Sequence, residues 1–229
     1  MFIGVLINAA LVIVGTMAGL IFKGERLKRV GQRIFEAFAI FVIVMGVGGS
    51  IDLSQPLLIL ASIIIGVCIG ELIDIDEKFT RLGNFMQQKF AKNDKSFSKG
   101  FVEASLLFCI GSMTILGALQ SGLEHEHTIY ITKGILDMVS AMTFAMGSGI
   151  GVAFSALSVI VYQGLLTLFA SFLAPVLSNE MIALSSTIGS LFLIGIGFNM
   201  LNITKIKVAN FIPAMFIPFI YQALLLMVK

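Results

Sequence analysis

Asp137 is a carboxylate in the middle of an apolar stretch that runs from about residue 129 to 147. An ionised carboxylate at the centre of a bilayer costs roughly 2.5 to 3.5 kcal/mol, so this side chain needs a compensating partner. Lys133 precedes it at the i to i+4 spacing that brings opposite charges together on a helix. The pattern fits an ion-binding centre or a structural Lys133 to Asp137 charge pair, and both interpretations stay open.

Hydroxyl and amide side chains recur at helical spacing around Asp137 and in the next apolar stretch. Their oxygens are suitable cation ligands, although serines also bond to carbonyls where helices pack closely. Two asparagines near residue 200 could bind a solute or tie down helix ends. The substrate or ion pathway that we predict consists of Asp137, Ser140, Ser155, Ser158, Tyr162, Gln163, Asn199 and Asn202. Outside this set, Asn8 is a candidate for polar contacts between helices.

Catalytic and metal-binding signatures are missing from the sequence. It has no GxSxG, HExxH or GxxxxGK[ST] segment, and Cys68 and Cys109 lie separately in apolar runs. His125 and His127 are one residue apart in an acidic loop, which predicts a solvated loop. We therefore predict no enzyme activity, no cofactor and no metal site. The basic residues form no continuous face, so nucleic acid is not a predicted partner.

The elements that must position these residues are membrane-spanning helices. The 229 residues are 58% hydrophobic and 12% charged, whereas soluble domains average about 25% charged residues. A span needs roughly 20 mainly apolar residues. The sequence predicts an all-α polytopic transmembrane bundle, one domain over residues 1–229, with eight helices at about 2–22, 34–51, 56–73, 101–119, 129–147, 150–174, 181–203 and 208–228. The segment MGSGIG, between the fifth and sixth spans, could be a tight turn or a re-entrant break.

Basic residues predict the orientation, because Lys and Arg concentrate in cytoplasmic loops. With eight spans, all three basic segments fall on one side, and both termini are extracytoplasmic. These segments contain Lys23, Arg26, Lys28, Arg29 and Arg33, then Lys78, Arg81, Lys89, Lys92, Lys95 and Lys99, then Lys205 and Lys207. Residues 78–90 have an apolar stripe at helical spacing, which predicts a helix lying against membrane lipid.

The first two hairpins resemble each other, with Gly15 aligned on Gly66 and Gly19 on Gly70. We predict internal repeats at approximately 2–51, 56–119 and 181–228, with a more divergent hairpin at 129–174. The two GxxxG pairs predict close helix packing, and a homodimer could use the same faces.

Several long motifs suggest a family. IGELIDIDEKFTRLG, GSMTILGALQSGL, the block from KGILDMVSAM to YQGLLTLFA, and GIGFNMLNITKIKVANFIPA cover much of the chain. The chain closely resembles the bacterial membrane family of unknown function that includes YdfK and YqgA. This resemblance implies a bacterial cytoplasmic-membrane protein with a possible transport role, and it assigns no catalytic or substrate residue.

Two functions fit these patterns. The preferred one is a small secondary transporter or ion-coupled carrier, which would move a small solute or a monovalent cation past Asp137. The alternative is a non-transporting interaction or sensory protein that presents a basic cytoplasmic face. Loss of flux on replacing Asp137 would distinguish the first from the second.

Overall fold

The computed structural model describes residues 1–21, 25–51, 53–92, 94 and 96–228, without the side chains of residues 25–28 and 228. The described chain is helical throughout, with short connections. Its α-helices are α1 (Ile3–Leu20), α2 (Glu25–Gly49), α3 (Pro56–Ile73), α4 (Ile75–Phe90), α5 (Phe97–Cys109), α6 (Ser112–Leu119), α7 (Thr128–Ser148), α8 (Gly151–Leu168), α9 (Ala170–Leu173), α10 (Asn179–Met200) and α11 (Ile217–Val228). A π-helical turn, Gln120–Glu124, follows α6, and a 3-10 helix, Val208–Phe216, precedes α11.

Seven helical segments of the described residues are long and apolar enough to cross a membrane. They are Ile3–Leu20, Arg29–Gly49, Pro56–Ile73, Thr128–Ser148, Gly151–Leu168, Asn179–Met200 and Val208–Met227. An eighth crossing arises if Phe97–Cys109 and Ser112–Glu124, which meet at a bend of 60°, count as one span. The predicted all-α transmembrane bundle of about eight helices is therefore confirmed. The fourth span differs from prediction, because it is broken near its middle.

The chain reverses direction where local residues stop a helix. Pro56 begins α3, at a position where its missing N–H leaves no bond unmade. Asp74 adopts φ 50° and separates α3 from α4, whose first turn it caps by accepting from the Glu77 N–H. Between α7 and α8 only Gly149, at φ 72°, and Ile150 are non-helical. The MGSGIG segment is therefore a tight turn and not a re-entrant break.

Glycines bring α1 into backbone contact with α7. A Cβ on Gly15 would lie 2.1 Å from the carbonyl oxygen of Met138, and one on Gly19 would lie 2.1 Å from that of Met142. These distances are far below van der Waals contact, so only glycine fits the present helix separation.

The second glycine pair lies against the last span. A Cβ on Gly66 would lie 2.2 Å from the Ala214 backbone nitrogen, and one on Gly70 would lie 1.8 Å from the Asn210 carbonyl oxygen. Both GxxxG pairs thus face helices of the same chain. The internal repeat and the homodimer stay predictions.

Basic residues from the second and third segments meet at one end of the bundle. Lys99 donates to Asn202 Oδ1 over 2.7 Å, and Lys207 Nζ lies 3.3 Å from Asp74 Oδ1. The predicted amphipathic helix is present as α4, whose Leu82 and Phe85 are exposed. Lys23 and Lys95 lie outside the described residues, and so do the side chains of Arg26 and Lys28.

Candidate ion or solute pathway

A buried charge pair lies in the middle of α7. Lys133 Nζ donates to Asp137 Oδ2, and the two residues are only 5% and 8% exposed. Gly134 lies between them, and a Cβ there would come 3.1 Å from the Asn8 Cα of α1. The local i to i+4 pairing that the sequence predicts is present. The pair is a compensated charge in an apolar surrounding. Removing one partner there destabilises a protein much more than removing both.

A pair of amide side chains links α1 to α8. Asn8 Nδ2 donates to Gln163 Oε1 over 3.2 Å, and both residues are fully buried. The remaining amide atoms, Asn8 Oδ1 and Gln163 Nε2, make no hydrogen bond with the described residues. Each amide has one acceptor oxygen and two N–H donors, so this single bond leaves hydrogen-bonding capacity unused on both side chains. The site can therefore accept a further polar group.

The break in the fourth span lies against α7, the helix of the charge pair. α5 stops at Cys109, and Tyr130, three residues before Lys133, donates to the Thr114 carbonyl in the first turn of α6 over 3.1 Å. Gly111, at φ 120° and ψ 154°, then turns the chain into α6. A helix end leaves backbone carbonyls without intrahelical partners, and these carry partial negative charge. The sequence analysis missed this break, although the Gly111-Ser112 pair is the kind of signal that marks one.

The predicted serines make different contacts. Ser158 receives a hydrogen bond from Ser105 across the contact between α8 and α5, at 2.9 Å. Ser155 instead donates to the Val152 carbonyl of its own helix. Ser140 is half-buried on α7.

Tyr162 is half-buried on α8 and contacts Phe216 edge-on, with ring centroids 6.5 Å apart. It lines an apolar cavity of about 460 Å³ together with Ser105, Ser158 and Cys109.

Asn199 and Asn202 shape the loop that follows α10. Asn199 Oδ1 accepts from the Thr204 hydroxyl and from the Ile206 N–H, at 2.8 and 2.9 Å. Asn202 adopts φ 58° and accepts from Lys99. Both therefore hold a helix end, and both also line the polar cavity described next.

A polar cavity of about 740 Å³, which we call the vestibule, opens at the basic end of the bundle. Helices α4, α5 and α10 and residues 201–208 enclose it. Glu103 lies in its wall, is 6% exposed, and has Oε1 3.9 Å from Lys99 Nζ. Its other oxygen, Oε2, is buried without a hydrogen-bond partner among the described residues. The 3.9 Å between Glu103 Oε1 and Lys99 Nζ makes this a loose charge pair.

An asparagine joins three elements beside the vestibule. Asn210 is fully buried, donates to Glu71 Oε2 over 2.7 Å and accepts from the Asp76 N–H over 2.7 Å. Burial raises the pKa of Asp76. For Asp74, burial acts in the same direction, but the hydrogen bond and charge of Lys207, with the Glu77 N–H, outweigh it and lower the pKa.

Comparison with known proteins places the chain in a family. The model of the family described as "Protein of unknown function (DUF554)" matches residues 3–223. The chain belongs to this family. The DUF554 relatives include the "Uncharacterized membrane protein YdfK" of Bacillus subtilis (strain 168), 29% identical over 219 residues, covering 94% of this chain and 93% of the relative. They also include the "Uncharacterized protein YqgA" of Escherichia coli (strain K12), 27% identical over 221 residues and 94% of each chain.

The resemblance drawn from the sequence motifs is thus confirmed over nearly the full length. No solved structure matches the chain. For this DUF554 protein, the comparisons and the apolar helices together establish a multi-pass membrane protein.

Proposed function

We propose that the chain is a small secondary transporter or ion-coupled carrier of the bacterial cytoplasmic membrane. The observation that carries the proposal is the helix break at Gly111, because the helix after the break, α6, packs against α7, which holds the buried pair Lys133 and Asp137. Transport proteins commonly build their binding sites from discontinuous helices, whose free ends supply backbone ligands at membrane depth. α5 ends about 18 Å from its first residue, at 1.5 Å per residue, which is well inside a bilayer.

The charge pair is the proposed switch. Lys133 holds Asp137 when the site is empty, and an incoming cation or proton would compete with Lys133 for the carboxylate. The displaced Lys133 ammonium would bind the backbone carbonyls at the end of α5, whose partial negative charge attracts a cation. The unused amide atoms of Asn8 and Gln163 supply a further donor and acceptor.

Polar groups extend from this centre towards the vestibule. The hydrogen-bonded pair Ser105 and Ser158 joins α5 to α8, and Glu103 is two residues before Ser105 on α5. We propose that a solute or monovalent cation follows this route past Tyr162.

The basic end of the bundle is the proposed cytoplasmic end. Lys99 and Lys207 lie there with α4, and positive residues are retained on that side of bacterial membranes. Because the helices alternate in direction, both termini would then lie outside the cytoplasm.

The test is flux through purified protein in sealed liposomes. Proton movement is followed with entrapped pyranine, and sodium or potassium movement by concentration jumps on a supported membrane. We expect Asp137→Asn to reduce, at least tenfold, the flux of whichever of these ions the native protein moves. Glu77→Gln, which removes an exposed carboxylate paired with Arg81, is the matched control and should retain the flux.

A double variant separates mechanism from folding. Lys133→Gln combined with Asp137→Asn removes both charges and restores a compensated interior, so it should fold better than Asp137→Asn alone. We expect its flux to stay low. Full flux in this folded double variant would reject the proposed centre. If the native protein moves none of the three ions, a non-transporting protein that presents its basic end to a partner becomes the better account.

A further inference from the structure

Glu103, in the wall of the vestibule, has one carboxylate oxygen without a hydrogen-bond partner among the described residues. Glu103 Oε2 has less than 1 Å² of exposed surface and no hydrogen-bond partner among the described residues, while its residue lines the cavity. A buried, unsatisfied charged acceptor is strongly unfavourable unless a ligand or solvent completes it. A carboxylate with one unused oxygen therefore lies in the wall of a cavity large enough for a small solute.

The neighbouring cation does not satisfy Glu103. Lys99 Nζ donates to the Asn199 carbonyl over 3.1 Å and to Asn202 Oδ1 over 2.7 Å, and it lies 3.9 Å from Glu103 Oε1. Two of its three N–H groups are therefore engaged by the last turn of α10 and the loop that follows it. What remains for Glu103 is a long ionic contact on one oxygen.

The wall around Glu103 favours a particular kind of ligand. Val102, Leu106 and Ile196 form an apolar patch, and Asn84 and Gln87 of α4 bring amide groups to the same cavity. Besides Lys99, the cavity is also lined by Lys205 and by Lys207, which pairs with Asp74. An ammonium group carries three N–H donors, and a carboxylate with further carbonyl acceptors is its usual receptor. An attached alkyl chain could pack on the apolar patch.

We propose that the vestibule binds small solutes that carry a primary ammonium group, with the Glu103 carboxylate as the acceptor of that group. The site differs from the charge pair on α7 and is defined by binding alone. It can be tested in detergent-solubilised full-length protein without any flux, so its failure would be distinguishable from failure of the transport proposal.

Three ligands of matched chain length test the chemistry by calorimetric titration. Butylamine carries only the ammonium group, butyrate only the carboxylate, and γ-aminobutyrate carries both. We expect butylamine and γ-aminobutyrate to bind and butyrate to give no signal. Glu103→Gln should weaken both amines at least tenfold, because it replaces the charged acceptor by a neutral amide of the same shape. Glu77→Gln should leave all titrations unchanged.

A second variant guards against a folding effect. Lys99→Gln keeps a donor for the loop but removes the positive charge that competes for Glu103, so we expect it to bind butylamine several-fold more tightly. A lower butylamine affinity in Glu103→Gln together with a higher one in Lys99→Gln cannot arise from a general loss of structure. The proposal is overturned if butyrate binds as well as butylamine, or if folded Glu103→Gln keeps its affinity. Equal competition by potassium would also overturn it, by assigning the site to alkali cations.

Discussion

Gly15 offers a sharp test of the packing between α1 and α7. Replacing it by alanine would place a methyl carbon 2.1 Å from the Met138 carbonyl oxygen, 2.8 Å from the carbonyl carbon and 2.9 Å from Cα. All three are backbone atoms, so no side-chain rotation can relieve the contact. Ordinary contact begins at 3.4 Å, which is 1.3 Å more than the 2.1 Å available. The two helices must therefore separate by about that amount along much of their contact.

The expected cost follows from this separation. Overpacking a well-packed interior costs about 1 to 3 kcal/mol, and losing contacts along a helix pair belongs at the upper part of that range. Alanine recovers at most about 1 kcal/mol through its helix propensity, and less here because helices persist in the unfolded membrane state. A net loss of about 1 to 2 kcal/mol corresponds to roughly 2 to 8 °C in melting temperature for a chain of this length.

A thiol-reactive dye can follow the unfolding, since the chain has two cysteines and no tryptophan. In a Cys68→Ser background only Cys109 reports, and it is half-buried at the end of α5. The matched control is Gly48→Ala on α2, where an added Cβ meets nothing within 4 Å. We expect Gly15→Ala to melt several degrees below this control.

Equal melting temperatures for the two variants would refute the packing argument. The same pair of proteins bears on the predicted homodimer. If Gly15 faced a second copy, its replacement would change the oligomeric state seen by size-exclusion chromatography and leave the stability of the single chain unaltered.

Two further predictions concern the break and the vestibule. In Gly111→Ala the added Cβ meets no atom within 4 Å, but an L residue is forced to φ 120°. This strain should cost about 1 to 3 kcal/mol of stability and lower the melting temperature relative to Gly48→Ala. A melting temperature equal to that of Gly48→Ala would argue against the break. For Asp76, burial raises the pKa in the folded state, so the folded protein binds this proton more tightly and loses stability as pH rises from 3.8 through the raised value. Asp76→Asn should therefore melt higher than the native protein at neutral pH and match it below pH 3.8, and a lower melting temperature at neutral pH would contradict the assignment.

Much of the fold is readable from the sequence, because a spanning helix requires a long apolar run and the chain has few other such runs. The short turn at Gly149 ends α7 through local backbone geometry, and the sequence flags its position. The break at Gly111 was not predicted because the residues on both sides are as apolar as those of an unbroken span. Hydropathy records neither the Gly111-Ser112 pair nor the positive φ of the glycine.

The site was predictable to the extent that its contacts are local. Lys133 and Asp137 are four residues apart, so helical geometry alone brings them together. Asn8 and Gln163 are 155 residues apart, and nothing in either segment indicates the other. Glu103 is a similar case, since the groups that draw Lys99 away from it lie about 100 residues further along the chain.

The 3-10 helix Val208–Phe216 changes the reach of the last crossing. A 3-10 helix rises about 2.0 Å per residue against 1.5 Å for an α-helix, so these nine residues extend about 4.5 Å further than an α-helical segment would. That gain is one-seventh of a hydrocarbon thickness of about 30 Å. The final helix can therefore match a thicker bilayer, or tilt more in a thin one, with no added residues. The rise per residue of Val208–Phe216 therefore sets the length of lipid that the last crossing can match.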